Sequence, residues 1–239
     1  MNIKYKGRTR KIERGLTVRK ALAEEIKNSE YEVIGCLYNN DYRNLETQIE
    51  EGANIELIDI SSKEGMKIYV RTIVYIMGKA FESLYPKEKL MVEYQLGNAM
   101  YCKCDNIKIT KEFTEKLKQK MQEIIEKDLP IKKVEMTRKE AQKFYDETDT
   151  SKGRLQFDFE ENDPIYMYYC EKYYNYCFGT LANRTGVIKI FDVVKYAKKL
   201  QEQGARNVLV SMAGDGAVLV TEDGQEFKAQ APKGKLKNS

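Results

Sequence analysis

The sequence predicts a protein of the α+β class from three features. Short apolar runs that end in asparagine or glycine, such as VIGCLYNN, are typical of strands. Longer segments with apolar residues on one face, such as TKEFTEKLKQKMQEIIEKD, predict amphipathic helices. The first sixty or so residues give the order β-β-α-β-β, which needs a tight core or a neighbouring layer.

The charge balance argues against a dedicated duplex nucleic-acid binder. The chain has 41 basic and 37 acidic residues, so any contact with nucleic acid has to be local. The longest apolar-rich run is interrupted by Arg71 and Lys79, and we expect no membrane contact. The five cysteines are an odd set and the opening segment has no apolar signal region, which together predict a cytoplasmic location.

The chain contains no histidine, which removes the commonest general base and the commonest metal ligand. Catalysis would have to use Asp, Glu, Lys, Cys or Tyr. Cys102 and Cys104 are spaced C-x-C, and no second ligand pair follows at the spacing of a zinc finger. We therefore expect alternating strand cysteines and no metal, with a metal site at this pair as the alternative.

Residues 1–62 form the first predicted domain. A hairpin is predicted across Lys6 and Gly7, and Thr17 is expected to cap the helix VRKALAEEI. The succession GLTVRKALAEEI, VIGCLYNND and LETQIEEGANIELID resembles the TGS domain, a ubiquitin-like β-grasp module of threonyl-tRNA synthetases and some GTPases. The resemblance implies a β-grasp fold and RNA as a partner of this domain.

Residues 63–192 form the second predicted domain. It has two long helices, a capping box at Thr137 and Glu140, and tyrosine-rich strands near its end. This order resembles the second additional domain of threonyl-tRNA synthetases, which carries proofreading there. It also resembles the corresponding region of bacterial synthetase-like nucleoside (uridine) kinases, so an α+β editing-like fold is implied.

The editing motifs of that family, H-x-x-x-H and C-x-G-x-H, are mostly replaced here. Arg71 and Tyr75 stand at the first pair, and Leu181 stands at the last histidine, so that only Cys177 matches. The resemblance therefore implies neither zinc nor hydrolysis. Arg71 and Lys79 lie eight residues apart on one helix, close to one face, and with Tyr75 and Cys177 they define a possible ligand cleft for a phosphate. The alternative is that both cations are solvated surface residues.

Residues 193–239 form the third predicted segment. NVLVSM is expected to be a strand of a parallel sheet, followed by a hairpin that closes at Asp223 and Gly224. The segment resembles the C-terminal part of 1-phosphofructokinases, which are ribokinase-like carbohydrate kinases. The resemblance implies weak ATP binding, with Mg²⁺ for any activity, by the loop residues Ser211, Ala213, Gly214, Asp215 and Gly216. Taken alone, the same loop reads equally well as an ordinary turn.

The functional hypothesis from these resemblances is a kinase-derived chain without a complete active site. The chain has neither a P-loop nor a GAGD motif, so we expect no catalytic residues. The two kinase resemblances meet near FDVVKY, which suggests a chimera that binds a nucleotide or a small phosphorylated ligand. The alternatives are a non-catalytic TGS-type module that binds RNA or a nucleotide, and an inert chimeric product.

Overall fold

The structure is a computed structural model, and it separates the chain into two compact units. The first consists of Met1–Glu88 and Gln119–Phe191, and the second of Lys89–Lys118 and Asp192–Ser239. The structure describes residues 1–96, 99–104, 106–148, 154–158, 160–193, 208–211, 217–220 and 226–229.

The first unit begins with a five-stranded sheet in the order β2-β1-β5-β3-β4. The strands are β1 (Asn2–Tyr5), β2 (Arg8–Lys11), β3 (Val33–Tyr38), β4 (Asp41–Arg43) and β5 (Asn54–Asp59). β1 runs parallel to β5, and the other neighbours are antiparallel. The predicted hairpin is confirmed, because Lys6 and Gly7 both have the positive φ that a tight β1–β2 turn requires. The structure adds β4, a short edge strand, to the predicted order.

The predicted helix after β2 is present but breaks at Leu22 into α1 (Val18–Ala21) and α2 (Ala23–Lys27). Thr17 holds the N-cap position, yet its side chain makes no capping hydrogen bond. The N–H groups of Val18 and Arg19 donate instead to the carbonyls of Thr47 (3.0 Å) and Leu45 (2.8 Å). The carbonyl groups of residues 45 and 47 therefore accept the first N–H groups of the helix, a role that a capping side chain often fills.

A second sheet of the first unit lies between two helices. Its strands, in the order β10-β9-β8, are β8 (Lys132–Met136), β9 (Ile165–Cys170) and β10 (Tyr173–Asn175). One face packs on α3 (Lys63–Leu84), where Tyr75 contacts Tyr168 and Cys170. The other face packs on α5 (Arg138–Thr148), where Tyr145 contacts Met167. Side chains of a strand alternate between faces, so β9 contributes to both cores.

Local hydrogen bonds fix where the helices of this region begin. The Ser62 hydroxyl accepts from the N–H of Gly65 (3.0 Å) at the start of α3. The predicted capping box of α5 is confirmed, since Thr137 N–H donates to the Glu140 carboxylate (2.8 Å) and Glu140 N–H donates back to Thr137 (3.2 Å). The predicted amphipathic helix α4 spans Lys111–Glu126.

Contacts after α4 hold the loop that leaves β10. Thr185 donates to the carbonyl of Ile124 (2.9 Å) and accepts from the N–H of Leu129 (2.8 Å). The guanidinium of Arg184 donates to both carboxylate oxygens of Asp128 at 2.9 Å, and this hydrogen bonding lowers the pKa of Asp128. The segment around residues 184–187, which includes a 3₁₀ turn at Thr185–Val187, is therefore firmly anchored.

The second unit contains the hairpin of β6 (Met91–Leu96) with β7 (Ala99–Lys103) and a separate three-stranded sheet. That sheet is formed by β11 (Val208–Ser211), β12 (Ala217–Val220) and β13 (Glu226–Ala229). The prediction of a parallel strand at NVLVSM is wrong, since β11 pairs antiparallel with β12. An apolar run predicts a strand but does not determine the direction in which it pairs. The predicted pairing of the two hairpin strands is confirmed by the antiparallel β12–β13 pair, while the predicted turn at Asp223 and Gly224 lies outside the described residues.

The predicted α+β class is confirmed by this arrangement of separate sheets and helices. Within the described ranges, no helix combines the length and the apolar character needed to cross a bilayer. Most of the helix predicted at FDVVKYAKKLQEQGA falls at 194–207, outside the described residues.

Replacement of Gly78 by alanine is expected to destabilise the first unit. A Cβ atom at Gly78 would clash with the hydroxyl oxygen of the buried Tyr173. The crowding should cost about 1–3 kcal/mol, as for other overpacked cores. Urea denaturation followed by circular dichroism measures the change. The double variant Gly78→Ala/Tyr173→Phe lacks the hydroxyl and should recover much of the loss; equal stability of Gly78→Ala and the parent chain would contradict the packing described.

Candidate functional site

The candidate site lies where α3 meets the β9–β10 strands and the loop that follows them. Arg71, Tyr75 and Lys79 are spaced by four residues on α3, so they follow one face of the helix. Three of the four predicted cleft residues come together: the Arg71 charge acts on the Cys177 thiol, and Tyr75 packs in the same cluster as Cys177. Lys79 lies at the other end of the row.

Tyr75 fills the centre of the cleft. Its side chain is 2% exposed, and its hydroxyl proton is shared between the carbonyls of Tyr168 (3.1 Å) and Tyr173 (3.3 Å). Burial raises the pKa of the Tyr75 hydroxyl well above its ordinary value, so the group stays neutral. Tyr75 therefore acts as a packing residue with a satisfied hydroxyl and is not placed to activate water.

Lys79 bonds to other groups of the protein. Its ammonium group donates to the carbonyl of Cys170 (2.9 Å) and pairs with the carboxylate of Glu171 (3.1 Å). Glu171 has a positive φ of 53° in the turn between β9 and β10. Lys79 thus stabilises this turn, and the proposed pairing of Lys79 with Arg71 around one phosphate finds no geometric support.

Of the two cations on this face of α3, Arg71 is the one whose charge is not used in an ion pair. Its side chain is half-buried, and in the described part of the chain it has neither a hydrogen bond nor an ion pair. The guanidinium lies against Gly179, where a Cβ atom would be only 2.9 Å from Arg71 Cζ. Gly179 also has a φ of +96°, a conformation that glycine adopts readily. This glycine allows the loop to pass directly over the guanidinium.

Cys177 is a poor nucleophile in this setting. Burial raises the pKa of its thiol to about 11, and the positive charge of Arg71 only partly opposes that rise. The thiol is consequently protonated near neutral pH, whereas reactive cysteines have a lowered pKa. All five cysteines are free, and no group of three or more Cys, Asp or Glu that could hold a metal occurs among the described residues.

Leu181, at the position of the family's last histidine, is fully buried in the same cluster as Tyr75. A leucine and a neutral tyrosine offer neither a metal ligand nor a proton acceptor of suitable pKa. The arrangement can hold an anion near Arg71 by charge and hydrogen bonding, but it has no group poised for acid–base chemistry.

The second predicted site, the glycine loop, is largely outside the described residues. Ser211 is the last residue of β11, while Ala213, Gly214, Asp215 and Gly216 fall at 212–216, which the structure does not describe. Nucleotide binding by this loop stays a prediction.

One residue of the site escaped the sequence analysis. Phe178 follows Cys177 and is 82% exposed, the same fraction as Ile190 and more than the other exposed large apolar residues of the described ranges. A phenylalanine beside a half-buried cysteine is ordinarily expected in the core. The only local signal was Gly179, whose backbone freedom permits the sharp path of the loop.

Comparison with known proteins gives the site its context. No protein-family model matches the chain. Over most of its length the chain is similar to threonine–tRNA ligases. The ligase of Caldanaerobacter subterraneus subsp. tengcongensis is 28% identical over 196 residues, which cover 80% of this chain and 30% of that protein. The ligase of Thermotoga petrophila is 27% identical over 231 residues, covering 93% of this chain and 35% of that protein.

A third relative is the probable cytoplasmic threonine–tRNA ligase of Enterocytozoon bieneusi, 28% identical over 81% of this chain and 30% of its own length. The chain therefore spans about a third of the length of the curated relatives it matches. These findings support the resemblance of the chain to the synthetase region.

The kinase interpretation of the sequence is wrong. The similar proteins are named threonine–tRNA ligases, and neither a uridine kinase nor a 1-phosphofructokinase function agrees with them. The match to the Geobacillus ligase covers 96% of the chain, so it crosses FDVVKY, where a chimeric join was predicted. The prediction of a chimera receives no support from these relatives. Short glycine loops between strands recur in unrelated folds, which explains the error.

The Cys177 thiol is expected to resist alkylation at neutral pH. With a pKa of about 11, roughly a thousandth of the thiol is ionised at pH 8, and the thiolate is the reacting form. Mass spectrometry of iodoacetamide-treated native chain should show a rate at Cys177 that rises about tenfold per pH unit between pH 7 and 9.5. The unfolded chain in guanidinium is the control. A native rate at pH 8 equal to the unfolded rate would disprove the raised pKa.

Proposed function

We propose that this chain binds tRNA through a region related to threonine–tRNA ligases and does not hydrolyse aminoacyl esters. One observation carries the proposal: the similarity to these ligases extends over 80–96% of the chain. The relatives are named for their action on tRNA, and a region shared at this extent is a reasonable place for an RNA contact. The same relatives support a cytoplasmic setting, because one of them is named as cytoplasmic.

The finer proposal is a β-grasp TGS module at residues 1–62 followed by an editing-like domain at 63–192. The mixed sheet of β1–β5 with its helix after the second strand supports the first part. A polar triad joins the two parts within the first unit. The Arg19 guanidinium donates to Glu46 (2.8 Å) and to the side-chain oxygen of Asn183 (2.9 Å), while the Asn183 amide donates to Glu46 (2.9 Å).

The absence of hydrolysis follows from the chemistry of the cleft. Tyr75 and Leu181 occupy the centre, the Cys177 thiol is protonated, and the chain has no histidine. Ester hydrolysis needs an activated water and a proton acceptor of suitable pKa, and removal of such groups costs orders of magnitude in rate. ATP and Mg²⁺ fit the ligase class of the relatives, but we assign no described residue to either.

The purified chain is expected to bind unmodified tRNA with a salt-dependent affinity. Fluorescence anisotropy with labelled tRNA between roughly 50 and 200 mM salt, where phosphate contacts are progressively screened, measures the affinity and its salt dependence. Duplex DNA of matched length is the control, and it should bind more weakly because the nearly balanced charge of the chain gives little non-specific attraction. Equal binding of both, or of neither, would refute specific tRNA recognition.

Incubation of the chain with seryl-tRNA and with threonyl-tRNA is expected to leave both esters intact. The loss of labelled amino acid should match the rate in buffer alone, and mild alkali at the end of the assay shows that the esters were present. Chain-dependent release that disappears in Cys177→Ala but persists in Cys170→Ala would show that the cleft is hydrolytic after all.

A further inference from the structure

We propose that Phe178, Arg71, Tyr166 and Lys133 form a binding surface for an unpaired RNA segment, with a base stacked on Phe178 and phosphates held by the two cations. This "Phe178 surface" rests on the proposed function and names its partner more closely: single-stranded nucleotides, recognised by stacking and charge. Aromatic rings beside cations are the usual means of holding unpaired strands without reading their sequence.

Phe178 is exposed on a loop whose next two residues are tied to the sheets. The Tyr168 hydroxyl donates to the carbonyl of Gly179 (2.9 Å), and the Thr180 hydroxyl donates to the carbonyl of Tyr42 (2.7 Å). The loop is therefore tied to β9 and to β4 within two residues of the ring. An aromatic ring that is 82% exposed on a tethered loop has only two side-chain torsions to order when a base stacks on it.

Arg71 supplies the first phosphate contact. Its half-buried guanidinium has no acidic partner among the described residues, and Gly179 lies directly against it. A cation that is partly withdrawn from water without a counter-charge is costly, and an incoming phosphate would remove that cost with charge-assisted hydrogen bonds. The loop that covers Arg71 is the loop that carries Phe178, so the two groups are adjacent.

The opposite side of the surface is formed by the exposed end of the β8–β9 face. Lys133 is paired with Tyr168, and Glu135 with Tyr166, so these side chains lie on one face of the sheet. The ammonium group of Lys133 stands 4.0 Å from the centre of the Tyr166 ring. The strand β4 lies near both parts, since the Thr180 hydroxyl donates to the carbonyl of Tyr42, and the neighbouring Asp41 and Arg43 act electrostatically on Lys133.

The local charges favour an anionic occupant. Desolvation and the positive charge of Arg43 lower the pKa of Lys133, and the nearby Asp41 and Glu135 only partly oppose this. Asp41 is already paired with Arg43 at 2.9 Å. A phosphate near Lys133 would relieve the repulsion between the two cations. Since the chain as a whole is almost neutral and the charges around Lys133 balance, the charge of Arg71, which has no acidic partner among the described residues, is what would direct an RNA strand here.

The test uses the full chain and a fluorescein-labelled decauridine, an unstructured strand, with an RNA duplex of the same length for comparison. Decauridine is expected to bind more tightly than the duplex. Phe178→Ala should weaken decauridine binding about tenfold, within the range of a lost base-stacking contact, while Phe178→Trp should preserve it. Arg71→Gln and Lys133→Gln should each weaken binding and reduce the slope of log affinity against log salt by about 0.7.

Ile190→Ala is the matched control. Ile190 is also 82% exposed, and its main chain is bonded to Tyr69, which lies about 200° around α3 from Arg71. This variant should bind decauridine like the parent chain, whereas an equal loss in Ile190→Ala and Phe178→Ala would overturn the assignment to this surface.

The outcomes separate the inference from the function on which it rests. If tRNA binds but decauridine does not, or if Phe178→Ala binds decauridine normally, the Phe178 surface is refuted and tRNA binding stands. If neither RNA binds the parent chain, both fail. Phe178-dependent self-association without decauridine binding, measured by ultracentrifugation, would assign the surface to a protein partner and would also refute the inference.

Discussion

The packing of Tyr75 against the β8–β10 sheet sets the geometry of the first unit. Its ring meets Tyr173 and Tyr168 edge-on, with centroids 5.2 Å and 6.4 Å apart, and its hydroxyl is committed to two carbonyls. These contacts fix the rotation of α3 about its axis. One turn earlier the helix therefore presents Arg71 to the Phe178 loop, and one turn later it presents Lys79 to the β9–β10 turn. A small residue at position 75 would remove the contact that keeps Arg71 and Lys79 turned toward the loop and the β9–β10 turn.

Tyr75 also explains why the positions matched to the editing motifs offer no hydrolytic chemistry. The centre of the cleft is filled by tyrosine and leucine, both buried. What remains accessible is its rim, where Arg71 and Phe178 lie. Binding at a rim needs charge and a flat ring, whereas catalysis in the centre needs groups that titrate near neutral pH.

Much of the fold followed from local sequence patterns. The β1–β2 turn depends on Lys6 and Gly7, and the start of α5 on Thr137 and Glu140, so neighbouring residues were sufficient to predict both. The break of the first helix at Leu22 and the antiparallel direction of β11 depend on distant partners, and local patterns do not contain them. The Thr17 side chain makes no capping bond for the same reason, because the N–H groups of Val18 and Arg19 donate to the carbonyls of residues 47 and 45.

The candidate site was predictable only in part. Helical spacing placed Arg71, Tyr75 and Lys79 on one face, but the partners of Lys79 lie about ninety residues away in sequence and were not foreseeable. The exposure of Phe178 is likewise a property of the loop path. The kinase interpretation failed on both of its grounds: the TGS and editing-like order is shared with synthetases, which the similar proteins are, and a short glycine loop carries little information when it is separated from its fold.

The bond from Thr180 to β4 has a consequence for aggregation. β4 is the outermost strand of its sheet, and Tyr42 faces Leu37 next to the pair that closes the hairpin, which directs the Tyr42 carbonyl away from β3. An outward carbonyl on an edge strand is a site where a foreign strand can dock and extend the sheet. The Thr180 hydroxyl occupies that acceptor, and the charged neighbours Asp41 and Arg43 discourage further pairing. The loop that carries Phe178 thereby also hinders strands of other molecules from pairing with the edge strand β4.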